Sequence, residues 1–300
     1  MLIDFIQQIF NGLVVGSIYT LIALGLTTIF GILGIAHFAH GSVAMFGGYL
    51  TYFLISALGI GLLPSFILAM AVGALLGVVL ERVAYYPVRN APPINSFIIA
   101  LGLTLIIEKL NLLAFGIDQV IIPTPFVNVI NIGGVTMPEL RIYVLVIAAI
   151  LVIGMTLLIQ RTWIGMAVRA VAQNRVAAVL MGINVNSVSM FVFALSSALG
   201  VAAGVLVGAL FAVAPGVSSG LVIKGFAVLI LGGLGSIPGA FVGGIIVGLF
   251  EAAGTGCLPD AQKAASYIPA YGMIILTLTL LLRPTGLFGR RFASGTHGKF

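Results

Sequence analysis

The sequence predicts an all-α polytopic membrane protein, a bundle of eight or nine transmembrane helices. Of its 300 residues, 61% are hydrophobic and 7% are charged, whereas a soluble domain has about 25% charged residues. The apolar residues also come in runs close to the roughly 20 residues that a helix needs to cross the hydrocarbon core. Helices are favoured because backbone amides in lipid must bond within their own segment, and the alternation typical of a membrane β-barrel is absent from the sequence.

Nine hydrophobic segments are predicted to cross the bilayer. The first begins near the N-terminus, where no cationic segment or cleavage site indicates a removable signal peptide. The two segments within 219–254 form either two thin spans or one short re-entrant hairpin, so the predicted number of spans is eight or nine. No linker divides the chain, and residues 1–300 are predicted to form one domain. The predicted segments are 6–32, 39–57, 63–84, 94–116, 141–160, 187–212, 219–236, 238–254 and 267–283.

The distribution of basic residues predicts the orientation in the membrane. One set of connections carries nine lysines and arginines, and the opposite set carries only Arg141 and Lys263. Because cytoplasmic loops are enriched in Lys and Arg, the first set and the C-terminus are expected in the cytoplasm. This dispersed charge argues against a nucleic-acid partner. The first set comprises Arg82, Arg89, Arg161, Arg169, Arg175, Arg283, Arg290, Arg291 and Lys299.

Glycines recur at four-residue spacing along the predicted spans. Small residues at this spacing let helix backbones approach closely in lipid. Most are expected to pack within one bundle, and the others to face a path or a partner subunit. The sets are Gly12/Gly16, Gly73/Gly77, Gly200/Gly204/Gly208, Gly235/Gly239/Gly243 and Gly244/Gly248.

The longest cytoplasmic connection, residues 161–186, is predicted to form a short helix over 165–181. Gly182 stands where a C-cap glycine is expected, and a polar residue within 184–187 would cap the next span. Arg169 shares one face of this helix with a glutamine while other positions stay apolar. The segment is therefore either a helix that inserts into a groove of another protein or an interfacial helix resting on lipid headgroups.

The first break in hydrophobicity lies where the first two spans meet, near residues 34–41. Broken helices at membrane depth are tolerated only where they are buried or line a water-filled cavity. The two histidines have no carboxylate or cysteine nearby to complete a metal site, so polar lining or an interhelical hydrogen bond is favoured over a metal. The residues assigned to this lining are His37, Phe38, His40, Gly41 and Ser42.

The second break lies in the glycine-rich residues 232–244. A dinucleotide-binding loop is excluded, because Pro238 stands at the third glycine position and no βαβ pattern surrounds it. A tight turn between two helical arms, with Pro238 at the start of the second arm, fits the sequence better. The residues assigned to the lining of this break are Gly235, Ser236, Pro238 and Gly239.

Charged residues at membrane depth are costly, so each is expected to have a partner or a task. Lys224 precedes Ile237 by 13 residues and Glu251 follows it by 14. If the two arms are antiparallel, these side chains reach nearly the same depth, which predicts a Lys224–Glu251 ion pair. Glu108 and Lys109 are adjacent and face different directions, so they are not expected to pair with each other.

Seven stretches carry a family resemblance, namely 34–41, 81–89, 161–183, 224–226, 232–239, 251–252 and 283–289. In them the chain resembles the permease subunits of branched-chain amino acid ABC importers, and the H-type subunit more closely than its M-type partner. His37 departs from the asparagine expected in that family, and Ser42 departs from a common acidic residue.

This resemblance implies a complex in the bacterial inner membrane that imports leucine, isoleucine or valine. The partners would be a second permease subunit, similar or identical, two cytoplasmic ATPase subunits and a periplasmic substrate-binding protein. The 165–182 segment would be the helix that the ATPase grips. No cofactor is expected in this chain, which lacks a phosphate-binding loop and is not expected to be an enzyme. The implied coupling residues are Gly165, Arg169, Arg175, Leu180 and Gly182.

Three alternatives remain at this point. Permeases for urea or short amides, or for another amino acid, belong to the same importer class, and the sequence does not separate them. An ion-coupled secondary transporter would need intramembrane carboxylates, for which only Glu108 and Glu251 are candidates. A membrane-embedded enzyme lacks any acid–base or metal cluster in the sequence.

Overall fold

Eleven α-helices and one two-stranded hairpin make up the part of the chain that the structure, a computed structural model, describes: residues 2–214, 216–256 and 267–289. This confirms the predicted all-α bundle, and each of the nine predicted spans contains a helix. Four residues from the charge count lie outside the described ranges, namely Lys263, Arg290, Arg291 and Lys299.

The helices follow the hydrophobic segments closely, and the third continues beyond its regular part into one π turn (Glu81–Tyr85) and one 3-10 turn (Tyr86–Val88). The helices are α1 (Leu2–Leu33), α2 (His40–Ser56), α3 (Leu62–Leu80), α4 (Pro93–Phe115), α5 (Glu139–Arg161), α6 (Trp163–Gln173), α7 (Arg175–Leu180), α8 (Val185–Leu210), α9 (Val217–Gly232), α10 (Ile237–Gly256) and α11 (Ile268–Leu282).

Six of these helices, α1, α3, α4, α5, α8 and α10, are long and apolar enough to cross a membrane. The helices α1 and α8 form the centre of the bundle, because 83% and 78% of their most apolar windows are buried. The helix α4 lies at the periphery, where only 17% of its window is buried. Apolar side chains on the outer face of such a helix are expected to contact lipid or another subunit.

The glycine sets pack helices together as predicted. Gly12 and Gly16 on α1 face Gly244 and Gly248 on α10, and a Cβ atom added at Gly16 would lie 2.8 Å from the Gly244 carbonyl oxygen. The two backbones therefore touch without intervening side chains. This contact brings α10 against the central helix over several turns.

Replacing Gly16 by alanine is expected to destabilise the chain by about 1–3 kcal/mol, because the added methyl group must push α1 and α10 apart. Gly154→Ala is the matched control, since no atom lies within 4 Å of a Cβ added at this exposed position of α5. It is expected to be neutral or slightly stabilising, because alanine is the better helix former. Thermal unfolding of the purified chain in detergent compares the two, and equal midpoints would contradict the packing role of Gly16.

A β-hairpin in the connection before α5 escaped the sequence analysis. Strands β1 (Val129–Ile132) and β2 (Val135–Pro138) pair antiparallel around Gly133 and Gly134, which have φ angles of 60° and 90°. Two glycines with positive φ between β-branched residues are a known signal of a two-residue hairpin. The hairpin lies at the end of the bundle opposite α6 and α7, where the Thr136 amide donates to the Gln7 side chain at 3.0 Å.

Candidate translocation and coupling site

The chain reverses direction between α1 and α2, and this reversal brings the start of α2 inside the bundle. Cβ atoms added at Gly25 and Gly200 would lie 2.5 Å and 2.8 Å from the His40 ring. Gly25 precedes the last residue of α1 by eight positions, which corresponds to about 12 Å along the helix. The first residue of α2 therefore lies well within the bundle, as the predicted broken helix requires.

The two histidines of this break are fully buried within the chain, with exposures of 1% for His37 and 0% for His40. His37 Nδ1 lies 2.8 Å from the Tyr85 hydroxyl, so it forms the interhelical hydrogen bond that the sequence analysis allowed. The other predicted role, the lining of an open path, is not seen for these two histidines, because neither ring is exposed within the chain. No group of three or more metal-ligating side chains occurs in the described ranges.

Gly41 and Ser42 are also buried, against α9 and α4. Phe38 is therefore the one partly exposed residue among the five assigned to the lining of the first break. Its ring stacks on Phe226 of α9 at 4.6 Å between centroids and meets the edge of Phe97 of α4 at 5.1 Å. These three rings form an aromatic cluster between the break, α4 and α9. It offers an apolar surface at the flank of the bundle.

Glu108 continues the same face of α4 toward the other end of the bundle. Residues 97, 104 and 108 are spaced by seven and four, which places them in one row on a helix. Ser218 at the start of α9 donates a hydrogen bond to Glu108. A carboxylate this far along a span is expected to face a path or a partner. The sequence marked Glu108 only as a possible carboxylate of an ion-coupled transporter and not as a partner of Ser218, which is 110 residues away.

The glycine-rich turn between α9 and α10 has the predicted helical arms. Gly233 and Gly235 adopt φ angles of 102° and 79°, and Ser236 Oγ accepts the Gly239 amide at 3.1 Å to cap α10. Gly239 is buried against α9, whereas Gly235, Ser236 and Pro238 line a cavity of about 710 Å³ that Arg169 of α6 also lines. The turn thus lies at the end of the bundle that carries α6 and α7, and not at its middle.

Lys224 and Glu251 form the predicted ion pair, with Nζ 2.9 Å from Oε2. Tyr19 of α1 completes the group, because its hydroxyl donates to both carboxylate oxygens of Glu251 at 3.0 Å and accepts from Lys224. The three residues are each at most 9% exposed and join α1, α9 and α10. Tyr19 was not predicted as part of this group, because no neighbouring residue in the sequence indicates that it bonds to a charged side chain.

The 161–186 connection contains two helices where one was predicted over 165–181. Asn174 separates α6 from α7 because its backbone is extended (φ −158°, ψ 106°) and its side chain accepts the Ala177 amide at 3.0 Å. An asparagine favours this local cap over continuation of the helix. The other predicted caps are present: Gly182 has a φ angle of 82° and Asn184 caps α8.

The five predicted coupling residues divide between the inner and outer sides of this connection. Gly165 is buried where a Cβ would overlap the carbonyl oxygens of α5, and Arg169 donates to the Ile159 carbonyl at the end of α5. These two fasten α6 to the bundle. Arg175 is exposed, and Leu180 is 82% exposed just before Gly182. The outer side is therefore the part available to a partner.

Exposed apolar side chains cover the outer side of α6 and α7. Leu180 and Met181 are each 82% exposed and Trp163 is 84% exposed, and we call these three residues the apolar ridge. The helix α6 is amphipathic, with Val168 and Val171 buried against the bundle. Large apolar residues this exposed at the end of a membrane bundle indicate an interaction surface. The sequence analysis had identified only Leu180 of this ridge.

Comparison with known proteins gives matches over nearly the whole chain. The family described as branched-chain amino acid transport system / permease component matches residues 8–282. BraD of Pseudomonas aeruginosa, named a high-affinity branched-chain amino acid transport system permease protein, is 36% identical, and the match covers 95% of this chain and 96% of BraD.

Two further relatives show how widely this similarity extends. LivH of Escherichia coli strain K12, which bears the same descriptive name as BraD, is 34% identical, with 95% of this chain and 96% of LivH covered. Probable LivH of Methanocaldococcus jannaschii is 30% identical, with coverages of 94% and 92%. No solved structure matches the chain.

Proposed function

Because this chain belongs to the family of permease components of branched-chain amino acid transport systems, we propose that it is the permease subunit of an ATP-driven importer of leucine, isoleucine and valine. The observation that carries this proposal is the similarity to BraD and LivH over 95% of the chain. It extends through the helices that cross the membrane and through α6 and α7. The chain is a multi-pass membrane protein, and we place it in the bacterial inner membrane with a cytoplasmic C-terminus.

The apolar ridge supports a partner on the cytoplasmic side. Trp163, Leu180 and Met181 would insert into a groove of a cytoplasmic ATPase, in the way that an amphipathic helix docks in an apolar groove. Two ATPase subunits would supply the energy, so this chain itself would hold no cofactor and catalyse no hydrolysis. ATP binding would move the permease only because its two conformations contact the ATPase differently.

The exposed face of α4 and α9 is where a second permease subunit would pack and where the cargo would pass. Helix α4 is exposed along most of its length, and the Phe38–Phe97–Phe226 cluster and Glu108 lie on one side of it. A second permease subunit packed against this face would enclose a path with apolar and polar walls. Aliphatic amino acids delivered by a periplasmic binding protein would pass along it.

Uptake of radiolabelled leucine into proteoliposomes tests this function. The vesicles hold this chain with its partner permease and ATPases, ATP inside and the binding protein outside. We expect uptake that requires ATP and that excess isoleucine or valine suppresses, whereas urea and acetamide leave it unchanged. Uptake driven by an ion gradient without ATP, or suppressed by urea instead, would contradict the proposal.

A further inference from the structure

A cavity of about 570 Å³ opens beside α7, and most of its wall lies outside the proposed transport route, with which it shares Phe97. Its volume lies within the roughly 300–1,000 Å³ of small-molecule sites in proteins. It lies at the same end of the bundle as the apolar ridge. Its walls combine one acidic, two basic and several apolar side chains, namely Glu81, Arg89, Arg175, Leu33, Ile94 and Phe97.

Glu81 supplies a negative charge to the wall of this cavity. The residue is 3% exposed, and its Oε2 atom has no hydrogen-bond partner among the described residues. A buried carboxylate without a partner is costly unless a cation or a proton donor meets it. Glu81 also begins the π turn that extends α3, and π turns are frequent at functional sites. This carboxylate therefore presents an acceptor for a ligand ammonium group.

Arg89 supplies a positive charge at the mouth and is held in place by two contacts. Its guanidinium carbon lies 4.2 Å from the centroid of the Tyr86 ring, and it donates one hydrogen bond to the Asn186 side chain. A guanidinium group has five N–H donors, so several remain for a ligand. Arginine matches the planar geometry of a carboxylate with two parallel hydrogen bonds. Arg175 of α7 adds a second positive charge to the same cavity.

The apolar walls complete a site for a third kind of group. Ile94 and Phe97, on the first turns of α4, are exposed and line the cavity. An aliphatic side chain placed there would be removed from water, which stabilises binding by about 0.8 kcal/mol per buried methylene group. A free α-amino acid carries an ammonium group, a carboxylate and a side chain, one for each kind of wall that this cavity offers.

We propose that this cavity binds a free branched-chain amino acid from the cytoplasmic side, with its ammonium group at Glu81 and its carboxylate at Arg89. The identity of the ligand rests on the proposed function, since this amino acid is the cargo after delivery. The site shares Phe97 with the aromatic cluster of the route along α4 and α9, and it adds Glu81, Arg89 and Arg175, which that route does not use. It joins the bundle to the connection that carries the apolar ridge.

The position of the cavity makes the bound amino acid an inhibitor of further import. Glu81 belongs to the bundle, whereas Arg175 belongs to α7, beside the segment that the ATPase would move. A ligand shifts a conformational equilibrium by the difference in its affinity for the two states. An amino acid held between the bundle and α7 stabilises the arrangement seen here and opposes the movement. Import therefore slows as the cytoplasmic concentration of cargo rises.

Equilibrium binding of radiolabelled leucine to the purified permease–ATPase complex, in nanodiscs of neutral lipid without the binding protein, tests the site. We expect saturable binding of leucine, with which valine competes. Leucinamide, which lacks the carboxylate, and 4-methylpentanoate, which lacks the ammonium group, are each expected to compete at least tenfold less well than valine. Glu81→Gln and Arg89→Gln are each expected to weaken binding roughly tenfold or more. Glu139→Gln, at the opposite end of the bundle, is the matched control and is expected to bind normally.

The proposal would be overturned by the absence of saturable binding in the wild-type complex, by equal competition from the two analogues and valine, or by unchanged binding in both site variants. Displacement of leucine by anionic phospholipid, with no discrimination among the amino-acid analogues, would also overturn it and assign the cavity to lipid. The analogue series uses the wild-type complex, so the outcome does not depend on whether Glu81→Gln folds.

Uptake with and without leucine inside the vesicles tests the feedback separately from the transport function. We expect internal leucine to lower the initial rate of uptake in the wild-type complex, and the ratio of loaded to unloaded rates to rise toward one in Glu81→Gln. An unaltered wild-type rate alongside normal ATP-driven uptake would overturn the feedback alone. A complete absence of leucine uptake in unloaded vesicles would instead contradict the proposed function.

Discussion

Replacing Lys224 by methionine is expected to destabilise the folded chain by about 3–5 kcal/mol, because the buried Glu251 carboxylate loses its cation. Glu251→Gln is expected to cost a similar amount by leaving the ammonium group unpaired. The double variant Lys224→Met/Glu251→Gln should recover much of this loss, since no buried charge remains and the glutamine still accepts a hydrogen bond from Tyr19. Thermal unfolding of the three purified variants in detergent measures the differences.

Tyr19→Phe provides the matched control for these variants. It removes the hydroxyl that bridges Lys224 and Glu251 but keeps the ion pair, so a smaller cost of about 0.5–1.5 kcal/mol is expected. A double variant as unstable as either single variant would show that the pair does not act as a unit. The same comparison in membranes would show whether the contact of α1, α9 and α10 is needed for assembly with the partner subunit.

Replacing both Leu180 and Met181 by glutamate is expected to abolish ATP-driven uptake while the permease still inserts and folds. Both side chains are 82% exposed, so their replacement costs the isolated chain little. Truncating a buried apolar anchor at an interface typically costs about 2 kcal/mol or more of binding free energy. A charged group in their place would also have to lose its water at the interface. Co-purification of the ATPase subunits with the variant is the direct measurement.

Val127→Glu is the matched control for the apolar ridge, because Val127 is 81% exposed and lies at the opposite end of the bundle. Its ATPase content and uptake are expected to equal those of the wild type. Arg169→Ala tests the inner side of the same connection, where the loss of the hydrogen bond to the Ile159 carbonyl should loosen α6. Normal ATPase attachment in the Leu180/Met181 variant would refute the docking role of the ridge.

Local signals in the sequence were sufficient to predict the positions of the membrane helices and several of their ends. Hydrophobic length located each span to within a few residues, because a helix in lipid must satisfy its own backbone over a fixed thickness. The C-cap glycine at Gly182 and a polar cap within 184–187, which Asn184 provides, were also expected, since both depend only on neighbouring residues. The Lys224–Glu251 pair was predictable because a hairpin with equal arms fixes the depth of both residues.

Sites that join distant segments were beyond the reach of the sequence. Tyr19 meets Lys224 across 205 positions and Ser218 meets Glu108 across 110, and no local pattern marks such partners. The interruption at Asn174 was missed for a different reason. An asparagine can either continue a helix or cap a new one, and in the structure the Asn174 side chain caps α7 by accepting the Ala177 amide.

By itself, the sequence determined that this protein is a multi-pass helical bundle with one long amphipathic connection at 161–186 and two helix breaks, because hydropathy and backbone conformation are local properties. Only the tertiary structure decided what the marked residues do: the histidines are sealed inside, Gly165 and Arg169 fasten α6, and Glu81 faces a cavity. The physical reason is that burial and partnership depend on which helices pack together, and in lipid nearly every helix face is apolar enough to pack several ways.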